Sequence, residues 1–366
     1  IRFAHVMPMD FRFRPRLVDS LKRYGKDDFR ADLASGVTVG VVALPLAMAF
    51  GIASGVKPEQ GIFTAIIAGF LISALGGSKV QIGGPAGAFV ALLYAIVEKY
   101  GVANLLISVF MAGVLLFAMG MLKMGNLIRF IPVSIVTGFT NGIAVIIGMQ
   151  QLKDFLGLRF AHSPDHYVER WTEMWHARGT LSGWELGVGA LALALLIVIP
   201  RVVKKVPAPL LALGIVAALT ALATKFLPGS GFHVATIGSR FHSIVNGQEV
   251  AGIPPLPPMP LVPWNLPGPD GNPLGINFHI IRELLPSAFA IAMLGAIESL
   301  LAAVVSDAMS GTRHDPDAEL LALGVGNILC PLFGGIAATG AIARTATNIR
   351  SGARSPLAAG LPGIFI

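Results

Sequence analysis

Charge is what this 366-residue chain has least of: Asp, Glu, Lys and Arg make up 13% of it, against 54% for hydrophobic residues. That is about half the charged share of an ordinary soluble domain, and it excludes a water-soluble fold of this length. A single cysteine, Cys330, excludes an internal disulfide framework. It sits in an apolar run beside Pro331 and reads as packing. The formal charge of +7 is strung between apolar runs rather than clustered with aromatics on a polar domain, which argues against nucleic acid as a partner. His162, His166 and His176 share a polar loop without compact ligand spacing, so no metal is expected. No Ser/His/Asp, paired-carboxylate or metal constellation falls within the apolar runs. Neither an enzyme nor a cofactor is expected.

What the chain does have is a series of uncharged runs long enough to cross about 30 Å of hydrocarbon. They cover 33–56, 60–78, 80–97, 102–122, 130–152, 186–200 and 206–224, then 284–306, interrupted by Glu298, and 320–343. The lipid bilayer is therefore the solvent of this protein. With a cytoplasmic N terminus, alternate crossings put most basic residues inside, among them Arg12, Arg14, Lys79, Lys123, Arg201, Lys204 and Arg313. That excess satisfies the positive-inside rule. Residues 1–32 are basic and amphipathic without the short apolar core of a cleavable signal, and read as a surface-lying cytoplasmic lead-in. Residues 229–278, with Pro254-Pro255-Leu256-Pro257-Pro258, read as an extracellular linker. The apolar run after Arg354 is too short to cross before Ile366, so the sequence is expected to be an incomplete membrane domain.

Two places break the helical pattern. In Gln81-Ile82-Gly83-Gly84-Pro85-Ala86-Gly87 a helix can restart at Pro85. The run 334–343 is extended in character and leads into a helix at about Arg344. Each break is the third segment of its half, the halves starting near residues 33 and 283, and seven crossings between them invert one half relative to the other. Paired interruptions of this kind mark a transporter's site. Two half-helices facing each other offer free N–H groups and positive dipole ends to an anion. Arg344, with no acid beside it in an apolar stretch, adds a cation that costs about 2.5–3.5 kcal/mol to insert. The bland alternative is that Gly83, Gly84 and Gly87 only let helices pack closely. Glu298 is the other intramembrane charge. It either exchanges a proton during transport, with Arg344 in reach, or is a structural partner of Arg344 or of a backbone amide.

The residues also carry a resemblance. Asp28-Phe29-Arg30-Ala31-Asp32-Leu33-Ala34-Ser35-Gly36 with Leu44-Pro45-Leu46-Ala47-Met48-Ala49-Phe50-Gly51, then Gly61-Ile62-Phe63-Thr64-Ala65, Pro132-Val133-Ser134-Ile135-Val136-Thr137-Gly138-Phe139-Thr140-Asn141-Gly142 and Ile297-Glu298-Ser299-Leu300-Leu301, resemble the SulP sulfate permeases, also called solute carrier family 26. The resemblance implies an all-α polytopic membrane protein with the UraA-like fold of seven plus seven inverted segments. Its core domain would take residues 33–129 and 279–366, and its gate domain 130–228. A STAS domain usual in the family is not within this sequence. The resemblance further implies an anion held between the third and tenth half-helices, near Leu46, Phe50, Ala86, Ala343 and Arg344; the breaks themselves add Gly84, Pro85, Gly87 and Thr345 as candidate binding residues and Glu298 as the candidate proton-coupling group. Relatives often have glutamine where Leu46 stands, and hydroxyl residues near Ala341 and Ala343.

The implied activity is secondary active anion transport by alternating access, in the cell inner membrane, possible homodimers included. The similarity leans towards proton-coupled symport of a dicarboxylate such as fumarate. Sulfate or bicarbonate transport is the alternative. A nucleobase transporter would not need Arg344, and an anion channel would need a continuous pore.

Overall fold

A computed structural model describes residues 15–22, 24–126, 133–160, 167–203, 208–226, 231–245, 247–268 and 273–365. Arg12, Arg14, Pro132, His162, His166, Lys204 and, of the 1–32 lead-in, residues 1–14 and 23 lie outside the described residues. The chain opens with a short helix α1 (Arg16–Leu21) and then the long α2 (Lys26–Ala53), whose start is set by the Gly25 N–H donating to Asp28 Oδ2 at 3.0 Å. Helix α3 (Pro58–Leu75) begins on a proline, which loses no hydrogen bond at the first helical position. A two-residue strand, β1 (Gly83–Gly84), precedes α4 (Gly87–Met121). Gly101, at φ 82° and ψ 168°, divides α4 into 87–100 and 102–121, close to the two runs expected from the sequence.

Next come α5 (Val133–Phe155), α6 (Tyr167–His176), α7 (Gly183–Val202) and α8 (Ala208–Phe226). Beyond them lie the one-turn α9 (Ile237–Arg240) and an antiparallel hairpin of β2 (His242–Val245) and β3 (Gln248–Ala251). Helix α10 (Phe278–Ser310) runs from an Asn277 cap to Gly311 in the left-handed conformation, where a helix commonly ends. Helix α11 (Pro316–Leu329) is capped by Asp315, then β4 (Thr339–Gly340) leads into α12 (Ile342–Arg350), α13 (Pro356–Gly360) and α14 (Pro362–Phe365). Seven helices among the described residues are long and apolar enough to cross a bilayer. The chain is a multi-pass membrane protein.

The core lies among α3, α4, α10 and α11, where Phe89, Leu93, Leu105, Val109, Leu116, Ile291, Leu320 and Leu323 are buried together. Lipid tails are as apolar as leucine, so membrane helices need close contact to associate, and small residues supply it. Gly113 and Gly324 do so here: a Cβ on Gly113 would sit 2.5 Å from the Ile328 nitrogen, and one on Gly324 2.5 Å from that of Phe117. Helices α7 and α8 stand apart, with 6% of the apolar stretch of each buried against 61% for Pro316–Phe333.

Two expectations are corrected. The helix after the first break begins at Gly87, not Pro85, because Ala86 is extended at φ −134° and ψ 148° and the Pro85 carbonyl is taken by Arg344. The 229–278 stretch is not a plain linker where it is described. Lys57 Nζ donates to His242 O and Ser243 Oγ, both at 3.2 Å, Leu261 N donates to Leu332 O at 2.6 Å, and Trp264 packs edge-on against Phe110 at 5.8 Å. Proline and glycine limit α-helix there to the one-turn α9, but they leave carbonyls and neighbouring side chains free to dock on the helices.

Candidate anion site at the crossing of two half-helices

The two sequence breaks meet. Strand β1 pairs antiparallel with β4, with Gly83 opposite Gly340 and Gly84 opposite Thr339, and Ala341 N donates to Ile82 O at 2.8 Å. A helix starts from each strand, α4 after Ala86 and α12 after Ala341, and neither start has a side-chain cap. The first-turn N–H groups of two helices are thus left without side-chain acceptors. Non-helical backbone at this depth is tolerated because the strands satisfy each other.

Arg344 sits in the first turn of α12, 4% exposed, and its Nη2 donates to the Pro85 carbonyl. Gly84 has φ 136°, a conformation open to glycine, and a Cβ there would come 2.8 Å from Arg344 Nη1. Phe50 on α2 reaches the same place: a Cβ on Gly87 would lie 3.3 Å from its ring and 3.5 Å from Ile147 Cδ1 of α5. Leu46 is one turn from Phe50 on the same face of α2, and both are half-buried. Ala86 is half-buried and Ala343 exposed. Thr345 is buried, and its Oγ1 accepts from Ile82 N at 3.0 Å. Its hydroxyl is therefore anchored to the first break rather than turned to open space.

Glu298 lies on α10 beside the crossing, where a Cβ on Gly340 would come 3.0 Å from the Cα of the adjacent Ser299. Glu298 is half-buried and makes no ion pair with Arg344. The salt bridge expected from the sequence is corrected: the guanidinium finds its acceptor in Pro85, a neighbour only through the strand crossing. Among the described residues no group of three or more His, Cys, Asp or Glu could hold a metal.

A sequence profile of the sulfate permease family matches residues 29–366. This chain belongs to the sulfate permease family. It is 43% identical over 351 residues to Bacillus subtilis YvdB, provisionally described as a sulfate transporter, with 96% of this chain and 61% of that protein covered. It is 32% identical over 351 residues to the bicarbonate transporter BicA of Picosynechococcus sp., covering 93% of this chain and 56% of that protein. The chain thus spans about three fifths of the length of these curated relatives. The transmembrane domain of a cyanobacterium bicarbonate transporter BicA superposes with a TM-score of 0.77 at 29% identity, over 93% of this chain and 81% of that one. Murine Slc26a9 in its inward-facing state gives 0.78 at 16% identity, over 96% of this chain and 58% of that one, a likeness of fold alone. The fold is the UraA-like inverted repeat of these transmembrane domains.

This family member also holds its crossing with polar side chains that sequence reasoning missed. Asn327 Nδ2 donates to Ala338 O and its Oδ1 accepts from Ala338 N, each at 2.9 Å, so one side chain substitutes for a strand neighbour just before β4. Asn348 serves the other break, with Nδ2 donating to Val80 O at 2.9 Å and Oδ1 accepting from Ser35 Oγ at 2.7 Å. Glu319, 1% exposed, accepts from Gly77 N at 3.0 Å, Ser78 N at 3.2 Å and Ser299 Oγ at 3.3 Å. Ser299 Oγ in turn accepts from Gln81 Nε2 at 3.0 Å. The one sequence signal was that Glu319 directly precedes the uncharged run 320–343. It reads there as an interfacial residue, since its partners lie far away in the chain.

Proposed function

We propose that this protein carries small oxyanions across the membrane by alternating access, binding them where α4 and α12 begin. The observation that supports this most is the burial of Arg344 between two uncapped half-helix starts that the paired strands bring together. Each helix start contributes about 0.3–1 kcal/mol to anion binding, up to about 2 when partly buried, so the dipoles alone bind weakly. The guanidinium adds a full charge and a planar pair of donors suited to a carboxylate, sulfate or bicarbonate. On this reading an arriving anion takes over the bond that Arg344 gives to Pro85, and bound anion and strand crossing move together.

Within the oxyanion class, the names of the relatives favour sulfate or bicarbonate. Proton-coupled symport of a dicarboxylate such as fumarate is the choice drawn from the sequence. In either case Glu298 is the proposed proton group, acting from α10 without direct contact to Arg344, and the cell inner membrane is the proposed location. Uptake of radiolabelled sulfate, bicarbonate and fumarate into proteoliposomes, with and without an inward proton gradient, tests the reading. At least one of the three should be concentrated by wild type and lost in Arg344→Ala. Uptake of uracil in their place, or wild-type anion uptake by Arg344→Ala, removes the proposal.

A further inference from the structure

A polar cavity of 590 Å³ lies away from Arg344, where α1, the start of α2, the residues before β1, the end of α10 and the turn after α12 meet. Its hydroxyl hydrogens are already engaged. Ser20 donates to Arg16 O, Tyr24 to Asp32, Ser310 to Ser306 O and Thr312 to Asp307. Its carboxylates are engaged as well. Asp28 accepts from Arg354 at 3.0 Å and from Gly25 N at 3.0 Å, and Asp19 pairs with Lys22 at 3.3 Å. Arg16 and Lys79 line the same cavity, and among the described residues neither forms an ion pair. They are the cavity's cations without a hydrogen-bonded acid, Lys79 sensing the Asp28 carboxylate only at longer range. Beside the cavity, Val18, Leu21 and Phe29 are 49%, 47% and 48% exposed on α1 and α2. Apolar side chains next to free cations suit the boundary between headgroups and acyl chains.

We propose that this cavity binds the phosphate headgroup of an anionic phospholipid, with Arg16 and Lys79 on the phosphate and Val18, Leu21 and Phe29 against the acyl chains. Lys79 precedes β1 by four residues, and Ala353 and Ser355 of the same cavity follow α12. A bound headgroup therefore ties the outgoing end of one broken segment to the incoming end of the other. The proposal is independent of which anion is carried.

The test is native mass spectrometry of the protein released from vesicles of phosphatidylcholine and phosphatidylglycerol. Wild type should retain phosphatidylglycerol over phosphatidylcholine, and Arg16→Gln/Lys79→Gln should bind it about 25-fold more weakly, two basic groups each contributing roughly a fivefold factor. Lys26→Gln, an exposed lysine outside the cavity, should behave as wild type. Equal retention by the double variant, or no preference between the two lipids in wild type, overturns the site. A second arm compares thermal unfolding of delipidated protein in inorganic phosphate and in chloride of the same ionic strength. If phosphate protects wild type but not the double variant, and no phosphatidylglycerol is retained, the lipid is overturned as the source and the site passes to free phosphate.

Discussion

Gly84 shows how little room one residue has at the crossing. Its φ of 136° is strained for any residue with a side chain, and a Cβ would press on Arg344 Nη1 at 2.8 Å. Such strain costs about 1–3 kcal/mol, roughly five- to 150-fold in a binding constant. Gly84→Val should therefore lower anion uptake by at least about fivefold while the amount of protein in the membrane stays normal. Quantitative immunoblotting beside radiolabel uptake separates the two, and wild-type uptake by the variant would mean that the backbone at Gly84 does not approach the anion. Glu298 gives a second case at this scale. Its carboxyl is half-buried and unpaired with Arg344, so Glu298→Gln removes a titrating group without freeing a buried cation. The variant should still bind anion and lose accumulation driven by a proton gradient. Continued accumulation under that gradient alone would send the proton elsewhere.

At the scale of elements, the strands of two residues are too short to hold themselves, and side chains from neighbouring helices complete them. Asn327→Leu leaves both the N–H and the carbonyl of buried Ala338 without their present partner. An unmet buried polar group costs about 1–3 kcal/mol, so the detergent-solubilised variant should unfold at a clearly lower temperature, by more than an exposed control such as Leu193→Ala. A second tie joins α1 and α2 to the turn before α13. Asp32, wholly buried, accepts from Tyr24 Oη at 2.8 Å, from Arg354 N at 2.6 Å, from Ser355 N at 3.1 Å and from the Ser355 hydroxyl. Burial, and then the bond to Asp32, push the Tyr24 phenol up from its ordinary 10.0 to about 12. The folded protein thus keeps a proton that the unfolded chain gives up above about pH 10, so this contribution to stability is complete below that pH and falls away between about 10 and 12. Tyr24→Phe should lower the unfolding temperature at neutral pH and flatten the alkaline decline. An unchanged decline in melts over that pH range would dissociate it from Tyr24.

For the molecule as a whole, the distribution of basic residues predicts a cytoplasmic α1 and an external β2–β3 hairpin. Cys330 is buried, so it gives no background to thiol labelling. An impermeant maleimide applied to intact cells should label Glu249→Cys on the exposed hairpin and spare Lys26→Cys until the cells are opened. Ser243 is a poor reporter, since it is buried against Lys57 and Glu59. The reverse labelling pattern would invert the protein in the membrane.

Apolar runs, the division between 80–97 and 102–122, the breaks at Gly83-Gly84 and Thr339-Gly340, and the isolation of Arg344 were legible because they depend on composition and on neighbours in sequence. Those features determined a polytopic helical protein with two interrupted segments and a cation at one of them. Partner choice was not legible. Gly84 lies opposite Thr339, Arg344 bonds Pro85, Glu319 receives Gly77 and Ser78, and Ser35 reaches Asn348. Each of those pairs spans more than two hundred residues, and a buried polar group takes whichever acceptor the packing brings within about 3 Å. The same reason explains why Arg344 turned to a carbonyl rather than to Glu298, and why a proline-rich stretch docked on the helices: local sequence fixes which groups need a partner, and only the assembled helices decide which one is near enough.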